Sequence, residues 1–566
     1  MQPTDKSNHP SIAHVAHFAQ NKFCRLLLME ARKNINQLVG SDIKFLHSVT
    51  RVEGSTCNQT NFPLTVICQN NTEGLASKTS LRCKYVVACD GAHSTLRRQF
   101  GIKMEGDQTI QHLLNVHFRV REGTLLHSKL VNIDRCGMLH FVFNKKCILV
   151  FVSHDVAIGE WIVQIPIFPP FQEACDISHS AIEEMVQIGL VGYTEKETKD
   201  SIEILSVRPW CMSSIIAERY LAGPQNRVIL AGDAAHAFPP AGGFGMNTGL
   251  QDAHNLAWKL SSVLQGCSYH PTLIDSYEQE RRPVAMSNAA LSVRNYERSL
   301  NAARALGLDA EHPKYVIGAM TTPPFSFMPM SARKKAFQSL VKTAMLPLGE
   351  LEDPESFYGN FLAKRLQSAL DRQEGLPLLF PKFELGFTYC NNGEKIGATL
   401  SSDDDLSSYE NMLRIGHRFP SIELIPIDDF TKSFFPDQKP LITTTDISAQ
   451  LHSKGSRPIY SIICSYHLFQ TLDLSMVYFE VNGIKKSIEY AFGVIHKVMP
   501  EGRNIQTKFS SPTTIHLFDE ANEWGRFDKG GVVVLVRPDG HVDSIWNHGA
   551  NEDVNEWLSK VIRCIR

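Results

Sequence analysis

The stretch RVILAGDAAHAFPPAGGFGMNTGLQDAHNLAWKL, residues 227–260, constrains the fold more than any other part of the chain. Arg227-Val228-Ile229-Leu230-Ala231 is an apolar run too short for a helix and suited to a strand buried on both faces of a parallel sheet. The run ends at Gly232-Asp233. Residues 239–245 then form a stiff loop poor in side chains, through which a flat ligand can approach the backbone. A helix is expected over 246–265, with Met246, Leu250, Ala253, Leu256, Ala257, Leu260, Val263 and Leu264 on its apolar side and Gly266 as its stop. Strand, turn, loop and helix in this order bring ligand-binding groups to the carboxyl edge of an α/β sheet.

A second strand and turn of the same kind lies upstream. Residues 85–89, YVVAC, read as another strand buried on both faces, and they run into Asp90-Gly91. Before them, a helix is expected over 11–33, with Val15, Phe18, Phe23, Leu26, Leu27 and Ala31 at helical spacing, then extended runs over 43–52 and 64–69, with a polar stretch over 70–80 that suits a hairpin loop. Between the two turns, strand-like runs at 114–120, 138–143, 147–152 and 161–167 and a helix near 181–191 predict a mostly antiparallel sheet inserted into the first domain. Helix is expected again over 275–306, ended by Gly307, and 321–347 reads as a linker or cover. A third unit alternates strands at 458–464, 476–479, 514–518 and 532–536 and closes with a helix over 554–565. The division is therefore 1–110, 111–208, 209–320, 321–379 and 380–566.

The chemistry follows from placement. Asp233 stands where a carboxylate accepts hydrogen bonds from ribityl or ribose hydroxyls, and the helix after the loop aims the free N–H groups of Gly245, Met246 and Asn247 at whatever lies on Pro240, Gly242 and Gly243. A developing anion is stabilised there. Asp90 can cap the helix that starts near Ser94, and Arg97 offers a charge for phosphate or for an internal pair. The plainer alternative is that both turns merely link strand to helix.

Together these stretches resemble, nearly letter for letter at 227–260, the flavin-contacting signature of flavoprotein monooxygenases of the para-hydroxybenzoate hydroxylase and phenol hydroxylase type. The resemblance implies an α/β fold with a Rossmann-like FAD-binding domain, an inserted antiparallel substrate sheet and a thioredoxin-like C-terminal domain. It implies that Gly232 and Asp233 hold the ribityl chain of FAD and that the segment from Pro240 to Asn247 contacts the isoalloxazine. Asp90, Gly91 and Arg97 would serve the pyrophosphate and NAD(P)H, and Gln20 would touch the flavin's ribityl or phosphate part. The expected reaction is hydroxylation of a phenol-like ring by NAD(P)H and O₂ through a flavin C4a-hydroperoxide; catalytic side chains in the substrate pocket are not identified. The charges of 275–283, together with Trp210 and His236, are expected to be structural, and 414–420 and 534–542 match the thioredoxin-like part, read as structural or dimer-supporting because no CxxC is present. The family's opening GxGxxG unit is not found, so the chain is expected to be a truncated form or a paralogue that has lost tight FAD binding. Halogenation or reduction on the same fold, and a scaffold without flavin, are the rival readings.

Composition narrows the partners. With Lys+Arg 57 against Asp+Glu 59 and no long basic block, neither nucleic acid nor an anionic membrane surface has electrostatic support. No apolar run is long enough to span a bilayer. Thirteen scattered cysteines without a CxxC pair suit reduced cytoplasmic thiols better than a disulfide framework or a zinc ribbon, and no metal site is expected.

Overall fold

The computed structural model describes residues 17–372 apart from 36–40, 55–61, 72–76, 132–136, 192–200, 265–271 and 310–311. Beyond 372 it describes 383, 386–389, 416–417, 423–426, 442–443, 461–465, 478–481, 484–487, 515–518, 532–537, 539, 541–547 and 556–557. The first part of the chain forms α1 (Gln20–Ile35), then the antiparallel β1 (His47–Gly54), β2 (Leu64–Asn70) and β3 (Lys78–Cys83), then β4 (Val86–Ala88) and α2 (Thr95–Gln99). Five of the strands of a six-stranded sheet follow, β5 (Met104–Val120), β6 (Leu139–Phe143), β7 (Ile148–Asp155), β8 (Glu160–Ile167) and β9 (Ile202–Ala217), with α3 (Leu125–Val131) and α4 (His179–Val191) between them. The chain returns through β10 (Leu221–Ala222), β11 (Val228–Leu230) and β12 (His236–Ala237) to α5 (Phe244–Leu264) and α6 (Thr272–Ala305).

Period-two burial explains the large sheet. Leu114, Val116, Phe118 and Val120 of β5 are fully buried and pack with Trp161, Val163, Ile165 and Ile167 of β8 and with Ile182 and Val186 of α4. The alternate residues Asn115, His117 and Arg119 face the other way. Strand order is β12-β9-β5-β8-β7-β6, all antiparallel, so the expected inserted sheet is present, and its two longest strands, β5 and β9, run beyond the expected bounds 111–208 at the two ends.

Four expectations are corrected. The first helix starts at Gln20, since residues 17–19 are not helical, and the remainder of 11–16 lies outside the described residues. Residues 85–89 are not buried on both faces: Val87 is 41% exposed, and β4 is an edge strand of the described sheet β10-β11-β4. The stretch 321–347, expected as a linker or cover with no element assigned, is mostly helical, holding the end of α7 (His312–Thr321) and α8 (Met330–Met345), followed by α9 (Phe357–Asp371). The fourth concerns α5. Leu250 and Leu264 of its predicted inner side are 38% and 49% exposed, Ala253 and Ala257 are exposed as well, and Thr248, Asp252, Asn255, Lys259 and Ser262 are buried instead. The reason is a set of charged groups on α6 that this stripe must satisfy. The stop Gly266 lies outside the described residues.

In the third unit, β13 (Glu423–Pro426), β14 (Ile442–Thr443), β15 (Ser461–Ser465), β18 (Ile515–Phe518), β19 (Val532–Val536) and β20 (Val542–Asn547) form one mixed sheet, and β16 (Tyr478–Val481) pairs with β17 (Ile484–Ser487). Beyond Glu556 and Trp557, the expected terminal helix lies outside the described residues. Among the described residues no helix is long and apolar enough to cross a membrane.

Candidate functional site

Strands β4 and β11 are parallel neighbours, with Val86 opposite Val228 and Ala88 opposite Leu230, and the Ala231 N–H donates to the Ala88 carbonyl at 3.0 Å. Both therefore deliver their turns to the same edge. In the first turn, Asp90 Oδ2 accepts from the N–H groups of Thr95 (2.8 Å) and Leu96 (3.2 Å), while Ser94 Oγ accepts from the Arg97 N–H (2.9 Å), so two side chains satisfy the free amides of α2. Gly91 has φ 80°, which favours glycine.

Arg97 joins the two turns. Its guanidinium donates through Nη2 to Ala92 O (2.8 Å) and through Nη1 to Ala234 O (2.9 Å), and the residue is only 7% exposed. Burial lowers its pKa, and among the described residues no carboxylate hydrogen-bonds it. This geometry makes Arg97 a strut between the Asp90 and Asp233 turns rather than an open anion ligand.

Gly232, at φ 58°, opens the tight turn Gly232–Ala234. Asp233 is exposed on it, and its carboxylate accepts no hydrogen bond from a described residue. The turn is held from behind. Asp252 Oδ2 accepts from the Gly232 N–H (3.1 Å) and from His236 Nε2 (2.7 Å), while Asp252 Oδ1 accepts from Arg281 Nε (2.8 Å). Burial pushes the Asp252 carboxyl up, but Arg281 and His236 outweigh it and hold the group below its ordinary value. Arg281 reaches on to Tyr389 Oη (2.9 Å) and Thr248 O (3.3 Å). Sequence reasoning gave the charges of 275–283, Arg281 among them, a structural place, but it missed Asp252 as the support of the turn; its signal was the polar stripe at helical spacing along α5.

The loop that follows leaves from the edge of the large sheet, since His236 and Ala237 of β12 pair with Ile216 and Ile215 of β9. Gly242 (φ 112°) and Gly243 (φ 72°) shape it, and helix α5 begins at Phe244, two residues before the expected start. Pro240, Gly243 and Asn247 are exposed, whereas Gly242, Gly245 and Met246 are half-buried. Asn247 Nδ2 donates to Gly243 O (3.0 Å), locking the loop to the first turn of the helix. A Cβ on Gly232, Gly243 or Gly245 would meet nothing within 4 Å, so open space lies before all three. An unpaired carboxylate on a turn, three glycines facing open space and the N-terminus of a 21-residue helix match the donors and acceptors of a flavin's polyol chain and ring edge. Gln20 is exposed at the first position of α1 and makes no hydrogen bond to a described residue.

The helix α6 braces the site, as its charged stretch suggested. Glu278 Oε2 accepts from the N–H groups of Tyr220 (2.7 Å) and Leu221 (3.1 Å), Arg282 Nε donates to Ala217 O (2.9 Å), and Tyr277 Oη donates to Leu230 O (3.0 Å). Glu280 accepts from Lys259 Nζ (2.8 Å), Asn255 Nδ2 (2.8 Å) and both outer nitrogens of Arg537 (2.9 and 2.8 Å); Arg537 also meets Asp539 at 2.7 Å. The third unit is thus tied to the helix pair by buried charges. His236 is 1% exposed and bonded to Asp252, a structural place.

Residues 2–292 match the FAD binding domain family. The chain is 34% identical over 248 residues to tetracenomycin A2 monooxygenase-dioxygenase of Streptomyces glaucescens, covering 42% of this chain and 41% of that protein. It is 32% identical over 239 residues to 4-methyl-5-nitrocatechol 5-monooxygenase of a Burkholderia species, again 42% and 41%. The aligned part thus spans about two-fifths of these curated relatives. Among solved structures, the flavin-dependent monooxygenase PieE in complex with FAD and substrate superposes with a TM-score of 0.63 at 19% identity, over 96% of this chain and 79% of that one, which shows a shared fold. With the matched region taking in both turns, the glycine loop and helix α5, the chain belongs to the FAD binding domain family.

Proposed function

We propose that the protein is an FAD- and NAD(P)H-dependent monooxygenase that hydroxylates a phenol-like aromatic small molecule with O₂. The observation that carries this reading is the exposed, unpartnered Asp233 carboxylate at the carboxyl edge of β11, beside the open glycines and the start of α5. Bound FAD supplies the electron and oxygen transfer. The chain's own residues bind and orient. Asp233 accepts from ribityl hydroxyls, the Asp90 turn lines the neighbouring edge, and the first N–H groups of α5 place partial positive charge against the reduced ring. Because β12 joins the Gly232 turn to the six-stranded sheet, the sheet face bearing Asn115 and His117 is the natural wall of a substrate pocket next to the ring. Relatives named for tetracenomycin, nitrocatechol and dichlorophenol oxygenation favour an aromatic substrate. We read the third unit as a thioredoxin-like brace, consistent with its mixed sheet and with Arg537 and Asp539 docked on α5 and α6.

The test is a flavin titration. Asp233→Ala removes an acceptor for ribityl hydroxyls, expected to cost ~1–3 kcal/mol, or about tenfold to a hundredfold in FAD affinity, with little change in Tm because the side chain bonds no described residue. Equal FAD affinity in variant and parent means that the carboxylate does not hold the cofactor. Substrate-dependent NADPH oxidation that forms a hydroxylated phenol separates this reaction from a flavin reduction or halogenation on the same fold.

A further inference from the structure

On the face of the large sheet opposite its apolar core, three strands bring His117 (β5), His154 (β7) and Glu160 (β8) together. One ligand-capable atom from each lies within 4.8 Å of the others. The His117 and His154 rings are 6.0 Å apart, and His17, just before α1, stands 6.3 Å from His154. We propose that His117, His154 and Glu160 bind a divalent first-row transition-metal ion, with His17 close enough to complete a fourth position.

Three observations support the site. Glu160 is 6% exposed, yet its hydrogen-bond partners among the described residues are His117 Nε2 (2.9 Å) and Asn21 Nδ2 (3.4 Å), neither a fixed cation, and the nearby ammonium of Lys22 is engaged by Asp155. A buried carboxylate needs a compensating positive charge, and a bound metal supplies it. Secondly, His154 Nδ1 is buried without a hydrogen-bond partner, although buried ring nitrogens are ordinarily paired. Thirdly, the donor set is of the right kind: two imidazoles and a carboxylate, one ligand atom from each lying close together, suit zinc, iron(II) and similar ions. The ligands come from separate strands, so no local spacing in the sequence announces them. The proposal does not depend on the flavin reading.

The experiment is titration of the metal-free full chain with Co²⁺, followed by absorbance, and with Zn²⁺, followed by calorimetry and Tm. One equivalent of Co²⁺ is expected, with weak visible bands and no intense near-ultraviolet thiolate band, which excludes binding by the exposed Cys24, Cys89 and Cys175. Zn²⁺ should raise the Tm of the unsubstituted chain. His154→Ala and Glu160→Gln should each weaken binding at least tenfold, while a Cys175→Ser control leaves it unchanged. A thiolate band, no bound Co²⁺, no Tm rise with Zn²⁺, or equal affinity in both variants and parent overturns the site. Should one variant fail to fold, the other and the Tm response of the unsubstituted chain decide it.

Discussion

Arg281→Met is expected to destabilise the protein by about 3–5 kcal/mol, the range for breaking a buried ion pair from one side. Arg281 and Asp252 are both fully buried, so removal of the guanidinium leaves the Asp252 carboxylate buried with His236 as its one side-chain partner among the described residues. The Tyr389 hydroxyl loses its bond at the same time. A loss of roughly 6–20 °C in Tm is expected, given ~2–4 °C per kcal/mol for domains of this size. The double variant Asp252→Asn/Arg281→Met should recover part of that loss, because much of the cost is the stranded charge rather than the missing contacts. A single-variant Tm within 3 °C of the parent, or a double variant no better than the single, contradicts the argument. The same pair fixes the Gly232 amide, so FAD affinity should fall with Arg281→Met even under conditions where the chain stays folded.

What the sequence made legible was the part coded locally. The β11 strand, its Gly232-Asp233 turn, the glycine loop and a following helix are contiguous, and each residue type has one backbone habit that suits its place. The strands of the large sheet were readable for the same reason, through their alternation of buried and exposed positions. Residues whose meaning is set by distant partners were not. Arg97 looks from its motif like an anion ligand, and only the fold shows Ala234 O arriving from 137 positions away. The inner face of α5 was assigned to leucines and alanines because hydrophobicity is the usual signal for burial. Here Lys259, Asn255 and Asp252 turn inward, since α6 and the third unit present Glu280, Arg281 and Arg537 to them. A charged side chain chooses the interior only when its partners already wait there, and those partners lie outside any window a periodicity can see.

That second charged cluster predicts a one-sided pH dependence of stability. Burial pushes the Glu280 carboxyl up, but Arg537 and Lys259 overcome it and bring the group from its ordinary 4.5 down to about 2. Asp539 is likewise held well below its ordinary value: burial raises it, and Arg537 and His541 outweigh that. A carboxyl held low in the folded chain stabilises it at every pH above the unfolded value, and that contribution is lost as pH falls from about 4.5 toward 2; for Glu280 it is on the order of 3 kcal/mol. Lys259 behaves in the opposite sense on the alkaline side. Burial lowers it to about 8 from 10.5 despite Glu280, so between those values the unfolded chain holds the proton more tightly and stability from this group rises with pH. Tm measured from pH 2 to pH 10 should therefore fall steeply on the acid side, with the lysine contributing no loss between pH 8 and 10. In Glu280→Gln the neutral Tm should drop, because Arg537 and Lys259 lose their shared anion, and the acid limb below pH 4.5 should flatten relative to the parent. Parallel acid limbs in the two proteins would show that Glu280 is not what couples protons to folding.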